Sequence, residues 1–194
     1  MAGNVVLFSG GFDSTAALLW SQQQTRSIAL FVNYGQAGMQ DEWEAARAIA
    51  RDVAPLIRID VEFPSGVPRC GQVEIPARNL WMASLAACYA KPHDFDKVVL
   101  GAIRLSAKEE RRQVQPMADS STDVIRVMDR AVRATTNNAV SLIAPWSQKT
   151  KGQVLGWMKQ QKLMPQVWLT YSCHRANGPC GYCSACQARA DVGI

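Results

Sequence analysis

Apolar and polar positions fall into alternating blocks along the chain, and the blocks predict strand and helix in turn. Asn4-Val5-Val6-Leu7-Phe8 is an apolar run of strand length, and Thr15-Ala16-Ala17-Leu18-Leu19-Trp20 has the composition and spacing of a helix that begins near Ser14. Ser27-Ile28-Ala29-Leu30-Phe31-Val32-Asn33 predicts a second strand. A helix over residues 41–52 follows, with Trp43, Ala46, Ile49, Ala50 and Val53 keeping one apolar face and Glu42, Glu44, Arg47 and Arg51 left for the wet side. Pro55 closes it. Leu56-Ile57-Arg58-Ile59-Asp60-Val61 is a third strand, and the Pro/Gly-rich residues 63–71 are a loop expected to lie over the site. Residues 80–90 form a strongly apolar helix packed between sheet and neighbours, with Cys88 read as core. Lys97-Val98-Val99-Leu100-Gly101 is a fourth strand, residues 123–135 a helix, and residues 141–144 a short buried strand. Thr150 can cap the next helix, with Gln153 completing a capping box, and that helix ends before Pro165.

Strand and helix alternate from the start, with connections suited to parallel crossovers, so the expected fold is α/β, a doubly wound and mostly parallel sheet. Ligands of such sheets bind beyond the carboxyl ends of the strands, where residues 9–14, Tyr34-Gly35-Gln36 and the chain after Gly101 would converge. Residues 1–165 read as one domain and residues 166–194 as a small C-terminal region packed on it. At 194 residues and 48% hydrophobic, the chain can bury a full core. Its net charge of +5 favours anionic partners, but the basic residues are scattered, and small anions explain the charge as well as nucleic acid does. No apolar stretch approaches a membrane span and no signal-peptide core is present, which leads to the expectation of a soluble, cytoplasmic protein with no membrane partner. Residues 104–115 mix Arg104, Lys108, Arg111 and Arg112 with Glu109 and Glu110 and read as a solvated segment, a lid being the alternative.

The first chemistry lies in Ser9-Gly10-Gly11-Phe12-Asp13-Ser14, where a strand, a glycine turn and a helix start coincide. Glycine takes backbone angles closed to other residues and holds no side chain against a ligand, while the helix start points free N–H groups at the turn. That combination suits phosphate. A Walker A loop is excluded, because no lysine lies inside the turn. An ordinary turn with Asp13 and Ser14 serving as caps is the competing reading. The second chemistry is the spacing C-x6-C-x2-C-x2-C at Cys173, Cys180, Cys183 and Cys186, four of the six cysteines of the chain. Four thiolates suit tetrahedral zinc with no open position, hence a structural metal; an iron–sulfur cluster and disulfides are the other readings. His174 beside them is read as near the site or exposed rather than as a ligand.

The S-G-G-x-D-S pattern resembles the PP-loop ATP pyrophosphatases, in which the loop holds the β- and γ-phosphates while a substrate oxygen attacks the α-phosphate. Together with Tyr34-Gly35-Gln36, Ile75-Pro76-Ala77-Arg78-Asn79 and the terminal cysteines, it resembles the 7-cyano-7-deazaguanine synthase (preQ0 synthase) family over nearly the whole chain. Asp119 aligns with an aspartate of that family's central motif, and Ala144-Pro145 followed by Lys151 matches a later proline-to-lysine spacing. The resemblance implies ATP, Mg²⁺ and Zn²⁺ as cofactors, with a deazapurine carboxylate and ammonia as small-molecule partners. Nucleic acid is not required, and a homodimer is common in the family. It implies adenylation of 7-carboxy-7-deazaguanine, displacement of AMP by ammonia to give an amide, and a second activation that leaves the nitrile. Residues 9–14 would bind nucleotide and Asp13, Arg78 and Lys151 would serve catalysis, while Tyr34, Gln36, Arg78, Asn79 and Asp119 would meet the substrate. For Asn79, a helix cap is the competing role.

The chain also departs from the family pattern. Ala37-Gly38-Met39-Gln40 holds no counterpart of a histidine common after the Y-G-Q motif, Ser120 and Ser121 replace a Cys and an Arg, Gln153 replaces a glutamate, and residues 104–117 are rewritten. Four alternatives therefore stand beside the synthase: a variant that stops at the amide, a relative that joins the activated acid to another amine, another PP-loop enzyme acting on tRNA, and a non-enzymatic zinc module.

Overall fold

Five strands, β1 (Asn4–Leu7), β2 (Ser27–Asn33), β3 (Leu56–Asp60), β4 (Lys97–Val99) and β5 (Ser141–Ile143), pair in parallel in the order β3-β2-β1-β4-β5. The computed structural model describes residues 3–62, 75, 77–112 and 120–194. In register, Val5 stands between Ile28 of β2 and Val98 of β4. The central strands are continuous apolar runs because both faces are covered, as parallel sheets require. Val6, Phe8 and Phe31 face one core with α1 (Phe12–Gln24), α2 (Met39–Ala50) and α6 (Lys151–Gln160). Val5, Leu30 and Val98 face the other, with α3 (Arg78–Ala90) and α5 (Thr122–Thr135). The sheet is thus doubly wound, and its order reverses between β1 and β4, which opens a crevice at their carboxyl ends.

Some expectations shift. Phe12, not Ser14, begins α1, and α2 starts at Met39 behind Gly38. Cys88 is exposed, not core. The helix that carries it is apolar nearly all round, so composition does not choose its face; the small residues Ala83, Ala86, Ala87 and Ala90 turn inward and let it approach the sheet closely. Residues 104–112 are solvated along most of their length, with Glu109 buried, yet they are also tied to the body of the protein. Arg104 bridges to Thr150, and α4 (Ala107–Arg111) begins with a capping box between Ser106 and Glu109. Lys108 and Arg112 both pair with Asp191, whose carboxyl they hold below its ordinary value by hydrogen bonding. Two short helices, α7 (Met164–Trp168) and α8 (Ser184–Ala190), were not expected. Pro165 stands in the first turn of α7, where a missing N–H costs nothing. The loop expected over residues 63–71 lies outside the described residues. Among the described residues, no helix is long and apolar enough to cross a membrane.

Candidate active site

The turn from β1 to α1 lies in the crevice and is gripped from two sides. Gly10 has φ +76°, and a Cβ there would come 2.7 Å from Ala46 N and Glu42 O of α2. Beyond β4, a Cβ on Gly101 would come 2.7 Å from Ser14 N and Cα. Glycine is needed at both positions, at Gly10 for backbone angle and space, at Gly101 for close approach. Ser9 N–H donates to Ser14 Oγ at 3.2 Å, Ser14 Oγ donates to Gly11 O at 3.1 Å, and Gly11 N–H donates to Ser9 Oγ at 3.3 Å. With the turn closed in this way, the amide N–H groups of Asp13 and Ser14 have no acceptor among the described residues. Two open donors at the positive end of a helix make a site for an anion. Phe12 is fully buried, and its N–H is already taken by Ser172 Oγ at 3.2 Å.

A cation comes from the far side of the crevice. Thr150 caps α6 through a full capping box with Gln153, as its sequence predicts, and this places Lys151 at the first helical position. Its Nζ lies 2.6 Å from Asp13 Oδ1 and 4.9 Å from the centre of the Phe12 ring. Asp13 Oδ2 accepts no hydrogen bond among the described residues.

A second group gathers one strand over. Gln36 shapes the turn after β2: its Oε1 accepts Tyr34 N–H at 3.0 Å, and its Nε2 donates to Val32 O at 3.3 Å and to Glu42 Oε2 at 2.9 Å. Burial pushes the Glu42 carboxyl up, and the Gln36 hydrogen bond and the Arg78 charge only partly offset it. Arg78, in the first turn of α3, donates to the Tyr34 hydroxyl at 3.4 Å. The N-cap of α3 is Ala77, so Asn79 is no helix cap; it is buried and donates to Ser120 Oγ at 3.1 Å, tying α3 to the start of α5. Tyr34, Gln36 and Arg78 are therefore brought together, with Asn79 next to Arg78 on the same turn. Asp119 lies outside the described residues.

Cys173, Cys180, Cys183 and Cys186 converge, with all four Sγ atoms within 4.8 Å of one another. Tetrahedral zinc with Zn–S bonds near 2.3 Å sets its sulfurs about 3.8 Å apart, and the donor set fits a thiolate-bound metal. Burial opposes the Cys180 thiolate, but the backbone N–H groups of Tyr182 and Cys183 hold its thiol down to about 6, whereas burial pushes Cys186 up to about 12. A bound cation deprotonates both. The segment around these sulfurs is joined to the turn at residues 9–14 and to the start of α2. Tyr171 N–H donates to Gly10 O at 3.0 Å, Ser172 Oγ accepts from Phe12, and Asn177 N–H donates to Asp41 Oδ2 at 3.1 Å at the start of α2. Glu42, Tyr171 and Ser172 are parts of the site that sequence reasoning missed. Only the adjacency of Ser172 to Cys173 offered a hint.

A doubly wound parallel sheet, with a glycine turn, two open helix amides and a lysine at its switch point, defines a PP-loop-type α/β protein. Consistent with that class, the structure of the U34-tRNA thiolase NcsA from Methanococcus maripaludis with its [4Fe-4S] cluster superposes with a TM-score of 0.55 at 16% identity. That match covers 98% of this chain, which spans 63% of the thiolase chain, and it speaks to fold alone. The family model of queuosine biosynthesis protein QueC matches residues 3–69 and 68–192, and the chain belongs to this family. Among relatives, the 7-cyano-7-deazaguanine synthase of Stenotrophomonas maltophilia is 31% identical over 96% of this chain and 91% of its own. The 7-cyano-7-deazaguanine synthase 1 of Desulfitobacterium hafniense is 26% identical over 95% of this chain and 88% of its own.

Proposed function

We propose that the protein converts 7-carboxy-7-deazaguanine and ammonia to 7-cyano-7-deazaguanine at the expense of ATP. The observation that carries this reading is family membership that spans the glycine turn, the Arg78 turn and the cysteine cluster alike. Site geometry supports ATP as the co-substrate. The Asp13 and Ser14 amides receive the β- and γ-phosphates, and Lys151 stands where charge develops as the α-phosphate is attacked. Mg²⁺ would bind through Asp13 and neutralise the polyphosphate during displacement. Arg78 and Tyr34, beside Asn79, orient the deazapurine acid on the neighbouring rim. Its carboxylate oxygen forms a bond to the α-phosphorus as pyrophosphate leaves. Ammonia then adds to the acyl carbon, loses a proton and expels AMP, giving the amide. A second ATP activates the amide oxygen in the same way, and loss of AMP and the remaining N–H protons leaves the nitrile.

The cysteine cluster takes no part in these steps. Its sulfurs lie within 4.8 Å of one another, a spacing that favours one ion over a cubane, in which each thiolate sits on its own iron. Zinc is therefore the metal we assign, in a structural role. A stop at the amide is a second reading, supported by Ser120, which meets Asn79 where the family pattern has a cysteine. Incubation with ATP, Mg²⁺, ammonia and 7-carboxy-7-deazaguanine, with acid, amide and nitrile read by mass, tests both. Nitrile is the expected product; amide alone selects the second reading, and no ATP-dependent product removes both.

A further inference from the structure

Arg189 belongs to the same α8 turn as the ligand Cys186, and its guanidinium reaches out of that helix to Thr170. Its Nη1 donates to the Thr170 hydroxyl at 2.5 Å. Thr170 is buried and begins the segment whose next two residues hydrogen-bond Gly10 O and Phe12 N. Burial holds the Arg189 guanidinium below its ordinary value, and the Cys186 thiolate and, to a lesser extent, the Asp13 carboxylate oppose that shift. The tail beyond Arg189 passes the start of α6, where a Cβ on Gly152 would lie 3.8 Å from Val192. Arg189 thus ties α8 to the segment that holds the turn at residues 9–14.

Its charge is shared with the cysteine cluster and not with a carboxylate. Among the described residues, no Arg189 nitrogen pairs with a carboxylate, and Lys151 already occupies Asp13 Oδ1. One of five N–H donors is engaged by Thr170. Asp13 and Lys151 cancel each other, so the charge of Arg189 adds to the two open helix amides. A half-buried cation without a carboxylate partner is costly unless a ligand compensates it. A guanidinium also matches phosphate oxygens with two parallel N–H groups, which an ammonium cannot do.

We infer that Arg189 is a nucleotide-binding residue that contacts the β- and γ-phosphates of the triphosphate held at residues 9–14. This rests on the nucleotide reading of that loop given above. The competing role is structural, with Arg189 offsetting the negative charge of a four-thiolate metal site. The two roles differ in which nucleotide they affect. Affinities for α,β-methylene-ATP and for AMP are measured by calorimetry on the wild type, Arg189→Met and Arg189→Lys, together with metal content and melting temperature. The expected result for Arg189→Met is a loss of roughly 10- to 100-fold for the triphosphate analogue, unchanged AMP affinity and full metal content. Arg189→Lys should recover part of that loss. Equal affinity of variant and wild type for the analogue overturns the assignment, as does an equal loss for analogue and AMP accompanied by metal loss. Should Arg189→Met not fold, Arg189→Lys decides alone: a selective loss for the analogue supports the contact, and unchanged affinity overturns it. A wild type that binds neither nucleotide overturns the ATP reading itself, and this inference with it.

Discussion

Lys151 Nζ lies 2.6 Å from Asp13 Oδ1, although 138 residues separate them. The lysine side chain is 13% exposed and the aspartate 39%, so the pair joins the starts of α1 and α6 at the rim of the crevice rather than in the core. A pair so placed adds little to stability. In the proposed reaction its use is positional: it sets a cation and a carboxylate at the mouth of the helix that receives the phosphates.

Asp13→Asn should leave the fold intact while reducing pyrophosphate release by about 100-fold or more, the scale seen when one electrostatic contact to a developing charge is removed. Circular dichroism and melting temperature check the first half, and a coupled pyrophosphate assay the second. Turnover near that of the wild type would remove the assigned role.

Gly101→Ala tests the grip on the turn. The new Cβ would meet Ser14 N and Cα at 2.7 Å and Asp13 C at 2.8 Å, all backbone atoms that cannot swing aside. A destabilisation of about 1–3 kcal/mol is expected, with the KM for ATP raised as the helix start is displaced. Denaturant titration and steady-state kinetics measure the two effects, and an unchanged midpoint would contradict the close approach.

Cys183→Ser should lose the bound metal and lower the melting temperature by roughly 5 °C or more. Because Tyr171 and Ser172 hydrogen-bond the phosphate loop, nucleotide affinity should fall as well. Metal analysis, thermal melts and calorimetry read these separately; a fully metallated and equally stable variant refutes the structural site.

Glu42 predicts a pH dependence. Burial raises its carboxyl above the ordinary value of 4.5, so the folded state favours the protonated form. Its contribution to stability is complete below that value and is lost as pH rises through the folded pKa. Glu42→Gln retains an acceptor for Gln36 without the buried charge. The variant should therefore melt higher than the wild type at pH 7, with the gap closing below pH 4.5. A gap independent of pH would show that Glu42 carries no such penalty.

Local patterns made much of the architecture readable. The apolar runs at Val5-Val6 and Val98-Val99 report strands buried on both faces, and Thr150 with Gln153 reports a helix start from four residues. The four cysteines needed only their spacing. Contacts between distant segments left no such trace. Nothing periodic links Lys108 and Arg112 to Asp191, or Ser172 to Phe12, which lie 160 residues apart. Cys88 was misplaced because a helix apolar on every side offers no moment from which to choose its buried face. Pro165 reads as the end of one helix, and only the path of the chain makes it the beginning of another. Asn79 sits in sequence where a cap could be, but the left-handed Ala77 at φ 55° takes that position and frees the amide for Ser120.

In the proposed reaction, the bonds from Tyr171 to Gly10 and from Phe12 to Ser172 would join metal binding and nucleotide binding in one thermodynamic cycle. If metal tightens nucleotide, nucleotide must tighten metal by the same factor, whichever binds first. Protein turning over at saturating ATP would then surrender its metal to a chelator more slowly than idle protein, with no direct contact between the two ligands. Metal retention becomes a readout of occupancy at the phosphate loop.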